Sequence, residues 1–184
     1  MGIRALNLPV NLIVVSDHGM QKLDGFINLA EFADFSGVKV DDSGVFTLVY
    51  APDAEAAERL YRALKGKSPK FEVYRRSETL AGWHFSADPR IGDLIVIANG
   101  PNMIGTQLLK KGKLPMRAEH GSDPGALPTM NGIFYAAGPN VKPGVEIPPF
   151  ENVNILPFIN RILGLQRPAG LDGSERVLAG AYRP

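Results

Sequence analysis

The chain has 184 residues, 45% hydrophobic and 21% charged, a size and balance that suit one packed domain or a large piece of one. Its net charge of +1, with Lys and Arg spread along the chain, offers no electrostatic footprint for a nucleic-acid polymer. Cysteine is absent, so disulfides and thiolate metal sites are excluded and any metal must sit on His, Asp, Glu or backbone oxygen.

No stretch approaches the ~20 apolar residues that cross a bilayer as a helix. Met1–Val10 carries one Arg and a short apolar run, which is not the pattern of a secretory signal. Asn11–Ser16 (NLIVVS) is continuously apolar and β-branched, and reads as a strand buried on both faces in the middle of a mostly parallel sheet. So abrupt an entry into a core strand predicts that the sequence starts inside a larger domain. The strand stops at a polar turn, Asp17-His18-Gly19-Met20.

Phe26–Phe35 predicts a short strand followed by a helical turn. Val38–Val40 and Val45–Ala51 flank Asp41-Asp42-Ser43-Gly44 as the arms of a hairpin. Asp53–Leu64 is the clearest helix, with Ala54, Ala57, Leu60, Tyr61 and Leu64 at helical spacing and Gly66 placed to close it. Phe71–Arg75 alternates like a half-buried strand, and Asp93–Ala98 (DLIVIA) predicts a second buried strand. Residues 100–131 are rich in Gly, Pro and Lys and predict a long irregular segment. Gly132–Ala137 predicts a third core strand. A last helix runs to Leu163, capped by Asn152 or Asn154 and ended by Gly164. Together these elements predict an α/β fold with a largely parallel sheet and flanking helices.

The chemistry-bearing residues are few. Asp17 and His18 follow a strand directly, where α/β sheets bind ligands, and a carboxylate beside an imidazole is a good pair of ligands for a zinc-like ion. The alternative is a turn-capping Asp beside a hydrogen-bonded His. His120, in Glu119-His120-Gly121-Ser122-Asp123, reads by itself as a solvated loop residue. His84, between Trp83 and Phe85, reads as a partly buried structural histidine in a surface strand. Ser16 ends a strand beside the ligand candidates, which suits a supporting hydrogen bond better than a nucleophile. There is no G-x-S-x-G elbow, no G-x-x-x-x-G-K-S/T phosphate loop and no G-x-G-x-x-G.

The order of segments goes further. Ser16-Asp17-His18-Gly19-Met20 resembles the S-D-H-G-M segment of the nucleotide pyrophosphatase/phosphodiesterase family, in the alkaline phosphatase superfamily. His84-Phe85-Ser86-Ala87-Asp88-Pro89-Arg90-Ile91-Gly92-Asp93 resembles that family's H-Y/F-x-x-x-P-R-I-G-D. Glu119-His120-Gly121-Ser122-Asp123 resembles its H-G-Y/S-D segment, and Ile133–Pro139 the strand that follows. Pro149–Ile155 and Arg161–Gly164 resemble its closing helix.

This resemblance implies that residues 1–184 are the C-terminal part of one type I phosphodiesterase/nucleotide pyrophosphatase catalytic domain, with a partial alkaline-phosphatase-like fold. It implies Asp17 and His18 as ligands of one divalent ion and His120 as a ligand of a second, zinc by family type, and it gives His84 no metal role. In the complete enzyme the ions, about 4 Å apart, clamp the attacking and leaving oxygens of a displacement at phosphorus. The family's Thr or Ser nucleophile, a further Asp ligand and an Asp-x-x-x-His pair precede the S-D-H-G-M segment, and the ten residues before Asn11 offer none of them.

The implied activity is therefore hydrolysis of a phosphodiester or pyrophosphate bond in a small molecule, with this chain alone catalytically silent. Exposed sheet surface would then pair with the N-terminal half or with another copy. The second reading is a non-catalytic remnant or assembly module of the same fold. A third, within enzymes, is a phosphomonoesterase or sulfatase of the same superfamily, against which the Pro89–Asp93 and Asn152–Asn154 segments speak. Dinucleotides, nucleoside triphosphates, lysophospholipids and choline phosphodiesters all stay open as substrates. A periplasmic or extracellular setting follows only from the resemblance.

Overall fold

The computed structural model describes Gly2, Ala5, residues 7–107 and residues 116–184. The chain divides into two compact units, one formed by Met1–Asp17 with Gly132–Pro184 and the other by His18–Asn131. Much of the Met1–Val10 reading and the centre of the irregular 100–131 segment fall outside the described residues.

The unit His18–Asn131 is built on a four-stranded sheet. Its strands are β4 (Lys39–Asp42), β5 (Phe46–Tyr50), β6 (Phe71–Arg75) and β7 (Leu94–Ala98), in the order β4-β5-β7-β6. Every pairing in it is antiparallel, with Asp42 opposite Thr47, Phe46 opposite Ile97 and Phe71 opposite Ala98. The expectation of a largely parallel sheet is thus corrected. Among the described residues the one parallel pair is β3 (Gly25–Asn28) with β8 (Asn102–Gly105).

The misreading has a physical cause. An unbroken apolar run reports burial on both faces, and burial does not depend on strand direction. All five residues of β7 are buried. Leu94, Val96 and Ala98 join Leu60, Leu64, Phe71 and Val73 in one core cluster, while Ile95 packs with Leu48 and Ile91 in another.

Helix α1 (Ala54–Leu64) covers the first cluster. It starts where Asp53 accepts a hydrogen bond from the Ala56 amide at 2.8 Å, and its apolar stripe buries Ala56, Leu60 and Leu64. Arg75 bridges Glu58 on α1 and Glu78 beyond β6, and its guanidinium lies 3.6 Å from the centre of the Tyr61 ring. Arg75 and Arg62 hold the Glu58 carboxyl below its ordinary range.

The Pro89–Asp93 segment is held from three sides. Arg76 donates to the carbonyls of Pro89 at 3.0 Å and Ile91 at 2.9 Å, and Asp93 accepts from the Ala51 amide at 2.9 Å. Gly92 lies so close to the Val49 backbone that a β-carbon there would sit 2.6 Å from the Val49 carbonyl oxygen. His84 closes the 3₁₀ turn Ala81–Trp83 in a left-handed conformation (φ 49°), on an exposed loop and not in a strand.

In the other unit, β1 (Leu12–Val15) pairs antiparallel with β10 (Phe134–Ala137), Val14 opposite Tyr135. Ile13, Phe134 and Ala136 face a core of Val141, Phe158, Leu178 and Ala181. Phe158 belongs to α2 (Ile155–Ile162), which follows the 3₁₀ turn Asn152–Asn154.

The opposite face of this ribbon is open: Leu12 is 46% exposed, Val14 45% and Tyr135 67%. Both strands exist where the sequence predicts them, but neither is buried on two faces as their apolar runs imply. Neither Asn152 nor Asn154 caps α2 with its side chain. The Asn154 side chain instead donates to the Glu151 carbonyl and accepts from the Ser174 amide, each at 2.8 Å. No helix among the described residues is long and apolar enough to cross a membrane.

Candidate functional site

The three residues expected as metal ligands stand on short connections. Asp17 is exposed and follows β1 through Ser16. The Ser16 hydroxyl accepts from the Ile133 amide at 2.9 Å and the Ser16 amide donates to the Ile133 carbonyl at 3.1 Å, so the ribbon's pairing is carried to the residue before Asp17. That is the supporting role expected of this serine.

His18 and His120 are brought together by a ladder the sequence did not reveal. β2 (Gln21–Lys22) pairs antiparallel with β9 (Ala118–Glu119), Gln21 opposite Glu119. The chain leads into β2 from His18 and leaves β9 directly at His120. The imidazoles meet face to face, centroids 3.8 Å apart and planes 12° from parallel. Two-residue strands carry too little alternation to be read from sequence, which is why this pair was missed.

Each ring is oriented by its own surroundings. His18 Nδ1 lies 2.6 Å from the carbonyl oxygen of Gly19. A carbonyl oxygen only accepts, so in this contact Nδ1 is the donor. Gly19 is fixed in turn by its amide on the Met130 carbonyl at 2.8 Å. A β-carbon at Gly19 would meet the Thr129 carbonyl oxygen at 1.9 Å, so glycine is the residue this approach admits.

His120 is half exposed, while Glu119 beside it is largely buried. Glu119 Oε1 accepts from the His120 amide at 3.1 Å and stands 3.8 Å from His120 Nε2. Glu119 also lies against Gly44 in the β4–β5 turn, and Gly121 lies over Val45 and Phe46, so that hairpin supports the loop bearing His120. Two residues further on, the Ser122 hydroxyl is buried with no hydrogen-bond partner among the described residues.

The donor chemistry fits a divalent transition metal in part. A histidine whose Nδ1–H is held by a backbone carbonyl presents Nε2 in the manner of a metal ligand. Among the described residues, however, no three His, Cys, Asp or Glu side chains are grouped so as to hold an ion.

The unit of β1, β10 and α2 also has an open cavity of about 750 Å³, lined by Val15, Ser16, Asp17, Asn152 and Ile155. Asn152 in this wall was expected as a helix cap. Its place beside Asp17 depends on a meeting of segments 135 residues apart, which no local pattern records.

The comparisons with known proteins point to the same family. The family model described as type I phosphodiesterase / nucleotide pyrophosphatase matches residues 3–123. The human ectonucleotide pyrophosphatase/phosphodiesterase family member 7 is 31% identical over 174 residues, covering 89% of this chain and 36% of that protein. A bis(5'-adenosyl)-triphosphatase of Xenopus laevis is 28% identical over 159 residues, covering 85% of this chain and 33% of its own length.

Among solved structures, human ectonucleotide pyrophosphatase/phosphodiesterase 5 superposes with a TM-score of 0.81 at 25% identity, over 95% of this chain and 46% of that one. An inactive variant of the murine protein in complex with AMP gives 0.80 at 25% identity, over 94% and 45%. The chain thus spans about a fifth to two fifths of the length of the curated relatives it matches, and just under half of the solved chains. With its family model matched over residues 3–123, this chain belongs to the type I phosphodiesterase/nucleotide pyrophosphatase family.

Proposed function

We propose that the chain contributes part of a two-metal site that hydrolyses phosphodiester or pyrophosphate bonds, with Asp17 and His18 as ligands of one ion and His120 of the other. The observation that supports this reading is the His18–His120 ring pair, with His18 Nδ1 against the Gly19 carbonyl. Bound divalent ions, zinc by type, would lower the pKa of a nucleophile and neutralise charge on the phosphoryl oxygens. The chain's own share is to fix two imidazoles and one carboxylate on short, braced connections.

The substrate class is a small phosphodiester or nucleotide. The AMP bound to the murine relative and the bis(5'-adenosyl)-triphosphatase name of another relative support the nucleotide choice. A setting outside the cytoplasm, periplasmic or extracellular, is proposed on the family resemblance. No residue of the matched motifs offers the Thr or Ser nucleophile, so we propose that these 184 residues turn over no ester unaided.

The test is zinc titration of the purified chain with metal quantified by plasma mass spectrometry, beside hydrolysis of bis(p-nitrophenyl) phosphate. Weak zinc binding that falls on His18→Ala, His120→Ala or Asp17→Ala, with no hydrolysis, is expected. Zinc binding indifferent to all three substitutions overturns the ligand assignment. Hydrolysis by the rigorously purified chain, abolished in His120→Ala, overturns the incomplete-site reading. A silent, metal-free chain that is folded and cooperative on its own favours the assembly-module alternative.

A further inference from the structure

His120 is half exposed between two residues that lie on the β4–β5 hairpin. On one side, a β-carbon at Gly121 would stand 3.3 Å from Val45 Cγ2. On the other, a β-carbon at Gly44 would stand 2.9 Å from Glu119 Oε2. The largely buried Glu119 carboxylate thus rests on Gly44 through one oxygen, while the other, Oε1, accepts from the His120 amide at 3.1 Å.

The hairpin is a firm support. The Ile104 amide donates to the Gly44 carbonyl at 2.8 Å and the Ala98 amide to the Val45 carbonyl at 2.9 Å, which ties the turn to β8 and to the end of β7. Val45 is buried in a cluster with Leu23 and Met103. A side chain lodged between such a turn and a loop amide fixes the loop at that residue.

The carboxylate does not reach the imidazole itself. Oε1 stands 3.8 Å from His120 Nε2, beyond hydrogen-bond distance. Its grip is on the backbone, one peptide away from the ring that stacks on His18.

We propose that Glu119 is a positioning residue: lodged between Gly44 and the His120 amide, its carboxylate sets the backbone from which the His120 imidazole meets the face of His18. The functional meaning rests on the reading of His120 as a ligand in the proposed two-metal site. The placement itself needs no metal and is read in the purified chain.

The test is NMR of the ¹⁵N-labelled 184-residue chain, reading the ring-current shifts of the His18 and His120 ring protons and the exchange rate of the His120 amide. Glu119→Ala is expected to lose most of the mutual upfield shift and to quicken that exchange about three- to tenfold, the net worth of one hydrogen bond. Glu119→Gln keeps an acceptor oxygen at the same reach and should restore both, a rescue that bulk loss of stability would not give. Gly44→Ala, whose β-carbon would meet Glu119 first, should displace the flexible end of that side chain and lose the shift too. Strain at φ 76° lowers its stability in any case, but the shift is a property of the folded state. In the Glu119→Ala background, Gly44→Ala should change the shift no further.

Ring-current shifts that survive Glu119→Ala overturn the inference, because the loop then places His120 without the carboxylate. So does a wild-type chain that shows no such shifts. Loss of the shifts in Glu119→Gln overturns it by showing that the amide contact is not what places the ring. A Gly44→Ala effect of equal size in the Glu119→Ala background overturns it as well, since the turn then acts by another route. If Glu119→Ala does not fold, Glu119→Gln and Gly44→Ala still decide. The ligand reading fails by a different result, zinc binding indifferent to His120→Ala, which leaves these shifts untouched.

Discussion

The imidazole rings of His18 and His120 stack with centroids 3.8 Å apart and planes 12° from parallel. The two residues are separated by 102 positions, and the β2–β9 ladder, Gln21 opposite Glu119, lies next to them in the chain. An aromatic pair of this kind contributes about 0.5–1.5 kcal/mol beyond its burial. With His120 half exposed, His120→Ala should cost about 1 kcal/mol or less. The upfield ring-current shift of the His18 side-chain protons should disappear in that variant. Chemical denaturation and a one-dimensional proton spectrum check both.

Gly19 is the tightest point of the loop that carries His18. A β-carbon there would stand 1.9 Å from the Thr129 carbonyl oxygen and 2.8 Å from that of Asn131, and both are backbone atoms that cannot rotate away. Gly19→Ala should therefore destabilise the unit His18–Asn131 by about 3 kcal/mol, at the upper end of ordinary overpacking. It should also break the hydrogen bond that the Gly19 amide donates to the Met130 carbonyl. Hydrogen exchange at the Gly19 and Met20 amides, beside a denaturant curve, reads the two effects separately.

The acid limb of stability should depend on Glu58. Its carboxyl is held below the ordinary value of 4.5 first by the hydrogen bond from Arg75 and then by that from Arg62. A carboxyl depressed in the folded state contributes stability above its unfolded value, and loses it as the pH falls through the folded value. Stability should thus decline below pH 4.5, and Glu58→Gln should flatten that decline while lowering stability at neutral pH. Thermal melts at pH 7, 4 and 3 decide it, and the effect is small because the pair is solvent-screened.

The open face of the β1–β10 ribbon should govern self-association. Leu12, Val14 and Tyr135 leave an apolar strip on a two-stranded sheet, the kind of surface that pairs or aggregates. Light scattering should show mass increasing with concentration for the wild-type chain. Val14→Lys and Tyr135→Lys should reduce it with little loss of stability, since both side chains already face solvent. An unchanged mass profile would mean the strip is not the contact.

The sequence by itself determined the parts whose signals are local. Helix α1, the β4–β5 hairpin, the buried run of β7 and the family, through its motifs, were all legible because each signal depends on residues near one another in the chain. Tertiary structure decided the rest. Strand direction was not legible, since β7 is buried whether its neighbours run parallel or antiparallel. Nor was the exposure of β1, whose apolar run looks the same with one face covered or two. The stack of His18 on His120 and the meeting of Asn152 with Asp17 rest on long-range pairing, and no periodicity within either segment encodes its partner.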